Sequence, residues 1–289
     1  MAKISDKAAQ SLQIPRIIIA TCKFLQFISP NLAMRFAAKL FTTPLKHRMP
    51  KRELEMDRKS KQETVRIKSI GKDIVVYHYG SGKRKILLVH GWSGRGTQLV
   101  KFADAFLAAG YSTISFDAPA HGKSPGKNSL MPEFIASILQ LEQQFGPFEA
   151  AVGHSLGGMS LLNSVKRGLK IKKLVVIGSG DVVQDIIDEF IENLELKPDI
   201  GLRMRKNFEK RSHEQMDSYS SFRAAREIDI PVLVIHDMAD LEVSVECARH
   251  INDNLKNGTL MLTNGLGHRK ILGSPDVIKK SFDFVTSDS

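Results

Sequence analysis

A serine between glycines, at a point where a strand is followed by a helix, is the feature that most constrains this chain. The pentapeptide GHSLG occupies residues 153–157 and follows a short apolar run, residues 148–152, which is typical of a buried strand. Residues 158–165 have the small and apolar side chains of a packed helix. The glycines leave room for a sharp turn, so the hydroxyl of Ser155 is expected to project from the end of a sheet.

Strands and helices alternate along the chain from residue 64 onward. The predicted strands cover residues 64–69, 74–79, 86–89, 111–116, 148–152, 173–177, 231–235 and 258–262. The helices predicted between them cover residues 97–109, 132–145, 158–165, 245–255 and 275–285. This order predicts an α/β fold with a mostly parallel sheet of about eight strands and helices on both faces. Ligands of such sheets bind beyond the carboxyl ends of the strands.

Two segments lie outside this alternation. Residues 1–60 are predicted to be a basic, apolar, helical extension, and residues 61–289 the α/β domain. Within that domain, a segment at about residues 181–229 is inserted between two predicted strands. It begins with an amphipathic helix that has an acidic outer face, and it becomes basic after Pro198. We expect a small helical lid there, because binding loops lie at this end of the sheet. A solvated helical excursion is the alternative.

The apolar part of the extension, residues 14–45, resembles neither a membrane span nor a signal peptide. Lys23 and Pro30 interrupt it, so neither half reaches the ~20 apolar residues that cross a bilayer. Asp6 also departs from the basic start of a signal peptide. Two interpretations stay open. The helices pack against the α/β domain or a partner subunit, or they lie in a membrane surface with basic residues towards anionic headgroups.

The net charge of +11 belongs to the first quarter of the chain. Residues 1–72 contain 16 Lys and Arg against 5 Asp and Glu, whereas residues 73–289 contain 26 of each. A neutral body without a basic patch argues against a nucleic-acid partner.

The two cysteines, Cys22 and Cys247, form neither a disulfide framework nor a metal cluster, so a cytoplasmic location is expected. No HExxH motif or glycine-rich phosphate loop occurs, and no cofactor or metal is expected.

A projecting serine becomes a nucleophile only when a base removes its proton and an acid orients that base. Both partners are available in the order serine, acid, histidine. His268 stands beside glycines after the last predicted strand, in what is expected to be a mobile and accessible loop. Asp240, a few residues beyond the preceding strand, is the preferred acid. Asp237 and Asp181 also follow strands and stay alternatives.

Backbone amides near the serine are expected to bind an oxyanion. One amide is that of Leu156, directly after the serine, and the other is that of Trp92, in the loop after the strand at residues 86–89. The side chains of Trp92 and His154 are predicted to line the substrate pocket, although Trp92 could instead anchor its loop. His90, at the start of the same loop, is interpreted as a structural histidine.

Together these blocks resemble the α/β-hydrolase family, in particular its serine esterase and lipase-like branch. The resemblance covers about residues 64–286 and includes the block FDAPAHGKS at residues 116–124. Members of the family often have glycine where this chain has Ala120, a mild departure in a structural turn. His121, in the same block, is interpreted as structural.

The resemblance implies acyl transfer through an acyl-Ser155 intermediate, which water activated by His268 then hydrolyses. We therefore expect a carboxylic-ester hydrolase that acts on a small-molecule or lipid-like ester. The same residues could serve a thioesterase, a lipase or an acyltransferase, so these activities stay alternatives. A non-catalytic binding protein of the same fold is a further alternative, because this fold also supports binding without chemistry.

Overall fold

The apolar runs of the sequence pair into one eight-stranded sheet in the computed structural model, which describes residues 14–287. The strands are β1 (Lys61–Ile67), β2 (Lys72–Tyr79), β3 (Lys85–Val89), β4 (Ser112–Asp117), β5 (Ala150–His154), β6 (Lys173–Ile177), β7 (Val232–Asp237) and β8 (Gly258–Thr263). Their order in the sheet is β1-β2-β4-β3-β5-β6-β7-β8. Strand β2 is antiparallel to both of its neighbours, and all other neighbours are parallel. The predicted α/β fold with a mostly parallel sheet is confirmed.

Helices connect the parallel strands and extend the chain at its N-terminal side. They are α1 (Arg16–Ile28), α2 (Pro30–Phe41), α3 (Leu54–Lys59), α4 (Val100–Ala108), α5 (Met131–Phe145), α6 (Leu156–Lys166), α7 (Val183–Asn193), α8 (Pro198–Ser212), α9 (Ser221–Ala225), α10 (Val245–Asp253), α11 (Gly267–Lys270) and α12 (Pro275–Thr286). The sequence did not predict α3, α9 and α11. Each has only four to six residues, too few for a helical period to show in the side-chain pattern.

Side chains of each buried strand alternate between two apolar layers. In β3, Leu87 and Val89 face the layer that contains α5, α6, α9 and α10, whereas Ile86 and Leu88 face the layer with α4 and α12. This is the two-residue period of a strand that is covered on both sides. The central parallel strands therefore read as continuous apolar runs, as in LLV and LVVI.

A third apolar cluster lies outside these layers and joins the N-terminal helices to the insertion. Cys22 of α1 and Ala33 and Ala37 of α2 are fully buried in it, together with Ile187 of α7 and Met204 of α8. Helix α2 packs directly on α8. Within residues 14–287, no helix is both long enough and apolar enough to cross a membrane. The first 13 residues of the extension predicted for residues 1–60 lie outside the described part of the chain.

Asp181 brings the two ends of the insertion together. Its carboxylate accepts a hydrogen bond from the amide of Phe222 at 2.7 Å and contacts the ring of His250. Its carbonyl oxygen accepts the amide of Ser221 at 3.0 Å. The amide of Val183 donates to the hydroxyl of Ser220 from the other side. The segment that holds α7, α8 and α9 is thus closed at its base.

We predict that Gly157→Ala destabilises the protein by about 1–3 kcal/mol. A methyl group at Gly157 would lie 2.4 Å from the carbonyl oxygen of Val89, and backbone atoms have little freedom to move away. Urea unfolding measures the change in the free energy of unfolding. Gly273→Ala is the matched control, since a methyl group there meets nothing within 4 Å. Equal losses for the two variants would contradict the close packing of α6 on β3.

Candidate active site

Ser155 occupies a sharp turn between β5 and α6. Its backbone has φ 52° and ψ −122°, which costs on the order of 1–3 kcal/mol for a residue other than glycine. The amide of Ser155 donates to the carbonyl oxygen of Ile177 in β6 at 2.9 Å, and the Ser155 carbonyl accepts the amide of Gly158 at 2.9 Å. These bonds hold the turn from both sides, so Ser155 lies half-buried at the carboxyl end of the sheet.

His268 and Asp240 are hydrogen-bonded partners. The Nδ1 atom of His268 lies 2.7 Å from Oδ2 of Asp240, and both side chains are nearly fully buried. The other oxygen of Asp240 accepts the amides of Glu242 at 2.8 Å and Val243 at 3.0 Å. Burial by itself would raise the pKa of Asp240, but the bonds from His268 and from these amides together hold the pKa below its ordinary value. A carboxylate is thus aimed at the imidazole.

The two alternative aspartates have other partners. Asp237 accepts the amides of Leu266 and Gly267 at 3.0 and 2.9 Å, and it also accepts the hydroxyl of Thr263 and the amide of Ala239. It therefore orders the loop that precedes His268. Asp181 is engaged at the base of the insertion, as described above. Of the three aspartates considered from the sequence, Asp240 is the one that contacts His268.

The surroundings of His268 differ from the mobile, accessible loop expected from the sequence. The residue is the second of helix α11 and is only 8% exposed. The glycines beside it serve a conformational need, since Gly265 and Gly267 have φ values of 83° and 64°. Glycine is the residue that adopts such angles at little cost. The loop is therefore a tight turn that buries His268, and the expected accessibility was wrong.

His154 does not line a pocket, contrary to the sequence prediction. Its side chain is 2% exposed, and its Nε2 lies 2.9 Å from the carbonyl oxygen of His268. Burial lowers the pKa of His154 to about 3, so the ring is neutral and Nε2 carries the proton that the carbonyl accepts. The rings of His154 and His268 are 4.7 Å apart. The side chain of His154, at the end of β5, points into the protein interior and therefore presents almost no surface to a ligand.

The loop after β3 lies directly against the serine. A methyl group added to Gly91 would stand 3.0 Å from Cβ of Ser155, so a larger residue would require the serine or the loop to shift. The amides of Trp92 and Leu156 donate to no acceptor within the described residues. The indole of Trp92 packs edge-on against the ring of His121, with 5.0 Å between centroids, and is half-buried. Trp92 thus contacts the block after β4, as expected if it anchors its loop.

His90 ties this loop to the block after β4. Its Nδ1 lies 2.7 Å from the carbonyl oxygen of Gly91, and its Nε2 accepts the amide of Ala118 at 3.0 Å. Burial lowers the pKa of His90 to about 4 and that of His121 to about 3, so both rings are neutral. Ala120 has a φ of 65°. The turn therefore uses the backbone conformation in which glycine is common, and alanine tolerates it here.

One buried side chain of the site was not singled out from the sequence. His236, in β7, is fully buried, and its Nε2 lies 2.9 Å from the carbonyl oxygen of Val243 and 3.4 Å from Oδ2 of Asp240. Its position at the end of a predicted strand was the available signal.

Between Ser155 and His268 the structure shows no side-chain hydrogen bond. No three His, Cys, Asp or Glu side chains within residues 14–287 could together hold a metal ion.

Asp237→Asn is predicted to lower the free energy of unfolding at pH 7 by about 2–3 kcal/mol. An amide group cannot accept all four hydrogen bonds that the carboxylate accepts. Burial by itself would raise the pKa of Asp237, but those bonds together hold it below its ordinary value of 3.8. Their contribution is therefore present above pH 3.8 and is lost as the pH falls through the lower, folded-state pKa.

Urea unfolding from pH 3 to pH 7 measures this dependence, with Asp229→Asn as the control because its exposed carboxylate meets only Lys256. The difference in the free energy of unfolding between the wild type and Asp237→Asn should become smaller towards pH 3. A difference that is constant with pH would contradict the assigned contacts.

Comparison with known proteins identifies the fold of this chain. Residues 86–255 match the model of the alpha/beta hydrolase family. No protein of curated function matches the sequence.

Three solved structures illustrate the similarity. An esterase from Exiguobacterium antarcticum is 19% identical with a TM-score of 0.63, and the match covers 78% of this chain and 100% of the esterase. A bromoperoxidase from Bacillus anthracis is 17% identical with a TM-score of 0.61, covering 79% and 100%. A membrane phospholipase A, a bacterial virulence factor, is 16% identical with a TM-score of 0.62, covering 94% and 97%. Because the family model matches more than half of this chain, the chain belongs to the alpha/beta hydrolase family.

Proposed function

We propose that the protein is a serine hydrolase that cleaves carboxylic esters, with Ser155 as nucleophile, His268 as general base and Asp240 as the acid that orients it. The observation that carries the proposal is the 2.7 Å bond between His268 and Asp240, next to a serine in a turn of positive φ. The bond leaves Nε2 of His268 as the ring nitrogen available to a hydroxyl. Hydrogen bonds to a catalytic serine commonly form only when substrate is bound.

In the proposed reaction, Oγ of Ser155 attacks the ester carbonyl while Nε2 of His268 takes its proton. The resulting oxyanion accepts hydrogen bonds from the amides of Trp92 and Leu156, which have no acceptor within the described chain. His268 returns the proton to the leaving alcohol, and the acyl group stays on Ser155. Water then attacks the acyl-enzyme with His268 again as base, releasing the carboxylic acid and free Ser155.

The segment at residues 181–229 is proposed to act as the lid of this site. Its apolar cluster includes Met159 of α6, only four residues after Ser155, and Leu156 packs against the same cluster. Helices α7 and α8 therefore share an apolar cluster with the helix that follows the serine. The contacts of Asp181 hold the base of the insertion while the helices above it contact the substrate's acyl chain.

A lipid-like ester is the favoured substrate class, and a thioester or acyl-transfer reaction is the second candidate. Leu156 and Met159, which follow Ser155 in the chain, are apolar members of the cluster that the lid helices form. Relatives in fold include an esterase, a membrane phospholipase A and the thioesterase domain of a biosynthetic pathway. These names belong to those proteins, and they mark the range of acyl chemistry to be tested here.

Ser155→Ala should abolish covalent labelling by a fluorophosphonate probe, because the probe needs a serine oxygen that a base activates. Intact-protein mass spectrometry measures the labelled fraction. Ser164→Ala is the matched control, a buried serine of the same helix whose hydroxyl donates to the Ser160 carbonyl, and it should label like the wild type. Asp240→Asn should label about 10³–10⁴ times more slowly. If the wild type is not labelled by the probe, the proposed serine mechanism is wrong and the non-catalytic binding protein is the alternative that remains.

Turnover of p-nitrophenyl esters should rise from acetate to longer acyl chains of about eight carbons or more, since each buried CH₂ adds about 0.8 kcal/mol of binding. The values of kcat/KM for a chain-length series measure this preference, and matched acyl thioesters are the comparison. Higher kcat/KM for the thioesters would favour the second candidate. A flat series would contradict an aliphatic acyl site under the lid.

A further inference from the structure

One side of helix α1 is apolar and has no cover within the described chain. Its side chains, together with one from the start of α2, form what we call the apolar face. The members and their exposed fractions are Ile17 73%, Phe24 63%, Phe27 89%, Ile28 55% and Leu32 42%. They make up half of the ten large apolar side chains that residues 14–287 expose. A cluster of this kind on a protein surface marks an interaction site.

The apolar face points away from the body of the protein. Ile17, Phe24 and Ile28 follow one another at seven and four positions, which places them on one side of a helix. Cys22, fully buried against the insertion, lies on the opposite side. Helix α1 therefore has apolar side chains on two sides, and packing on the protein body accounts for the side of Cys22 alone.

Exposed cations without an ion-pair partner lie on the two helices that form the apolar face and on the adjoining helix α8. Arg16 stands at the start of α1, and Arg35 and Lys39 are exposed on α2. Helix α8, beside α2, exposes Lys206 and Lys210. None of these five side chains forms an ion pair with a described residue.

Two carboxylates of the insertion that lie beside α1 and α2 are already partnered. Glu195, at the end of the insertion's first helix, contacts Lys23. Asp199 pairs with Arg203, which also donates to Asn31 of α2 at 3.3 Å. Helices α1 and α2 themselves contain four cations and no carboxylate, so the segment that forms the apolar face is positively charged.

We propose that this surface docks on an anionic lipid bilayer. The large apolar side chains of the apolar face enter the boundary between headgroups and acyl chains, and the surrounding cations contact anionic headgroups. Helices of 13 and 12 residues lie in the surface, since they are shorter than the ~20 residues that span a bilayer.

Charge favours a bilayer over a second copy of the chain as the occupant. Helices α1 and α2, which form the apolar face, carry a net charge of +4. Two copies that joined their apolar faces would bring like charges together, whereas anionic headgroups would neutralise them. Docking would also set the insertion next to the bilayer, because α2 packs on α8.

Co-sedimentation of the full chain with vesicles tests the proposal. The wild type should sediment with phosphatidylglycerol vesicles and much less with phosphatidylcholine vesicles. The double variant Phe24→Ser, Phe27→Ser should lower the partition coefficient about tenfold or more. The variant Arg35→Gln, Lys39→Gln should weaken binding to phosphatidylglycerol about tenfold and leave the phosphatidylcholine value unchanged.

Leu54→Ser is the matched control, because Leu54 is 51% exposed outside the apolar face, and it should bind like the wild type. Thermal unfolding and turnover of a soluble short ester show that the variants are folded. Ser155→Ala should bind vesicles like the wild type, which separates this proposal from the proposed reaction. Equal sedimentation of the wild type and the phenylalanine variant would overturn it. The proposal would also be wrong if the wild type did not bind phosphatidylglycerol vesicles. It would be wrong, too, if the only effect of the substitutions were to convert a dimer in solution to a monomer.

Discussion

The close approach of helix α6 to strand β3 is the contact on which the rest of the site depends. A side chain at Gly157 would overlap the Val89 carbonyl, and one at Gly153 would overlap Leu161 of α6. With both glycines in place, the chain reverses within one residue, and Ser155 accepts a strained conformation. The same approach sets the loop of Gly91 against the serine. Packing of backbone on backbone thus brings the Ser155 turn and the loop of Trp92 together, and within residues 14–287 the amides of Leu156 and Trp92 have no acceptor.

Neutral histidines stabilise this arrangement without taking part in proton transfer. Burial lowers the pKa of His90, His121 and His154 to about 4, 3 and 3, so each ring is a fixed donor or acceptor at neutral pH. His90 links two loops, and His154 holds the backbone of His268. His268 differs from them because a carboxylate faces its Nδ1. An ion pair with that carboxylate would stabilise the protonated ring during the proposed reaction.

The described N-terminal helices pack against the insertion, which is the first of the two interpretations that the sequence left open. Small side chains, Ala33 and Ala37, let α2 pack closely on α8, and this contact is part of the described fold. Phe24 and Phe27 remain exposed on the other side of the pair. Helix α1 thus has apolar side chains on two sides, and the protein body covers one of them. The second side is the basis for the proposed bilayer contact.

Much of the architecture could be predicted from the sequence, because it depends on local patterns. Alternating apolar runs and amphipathic segments were sufficient for the α/β fold, and glycine spacing was sufficient for the turn at Ser155. Strand order was not predictable in the same way, since β4 lies between β2 and β3 through contacts that are distant in sequence. Helices of four to six residues, such as α11, were missed because they complete too little of a period.

The sequence by itself determined which residue types were available, and in which order along the chain. Tertiary structure decided which of them meet. Three aspartates follow strands, yet the fold turns only Asp240 towards His268, 28 residues away, while Asp237 and Asp181 bind backbone amides. His154 stands next to Ser155 in the chain, but the strand alternation directs its ring into the core. Spacing describes neighbours along one chain, whereas the direction of a buried side chain is set by everything that packs around it.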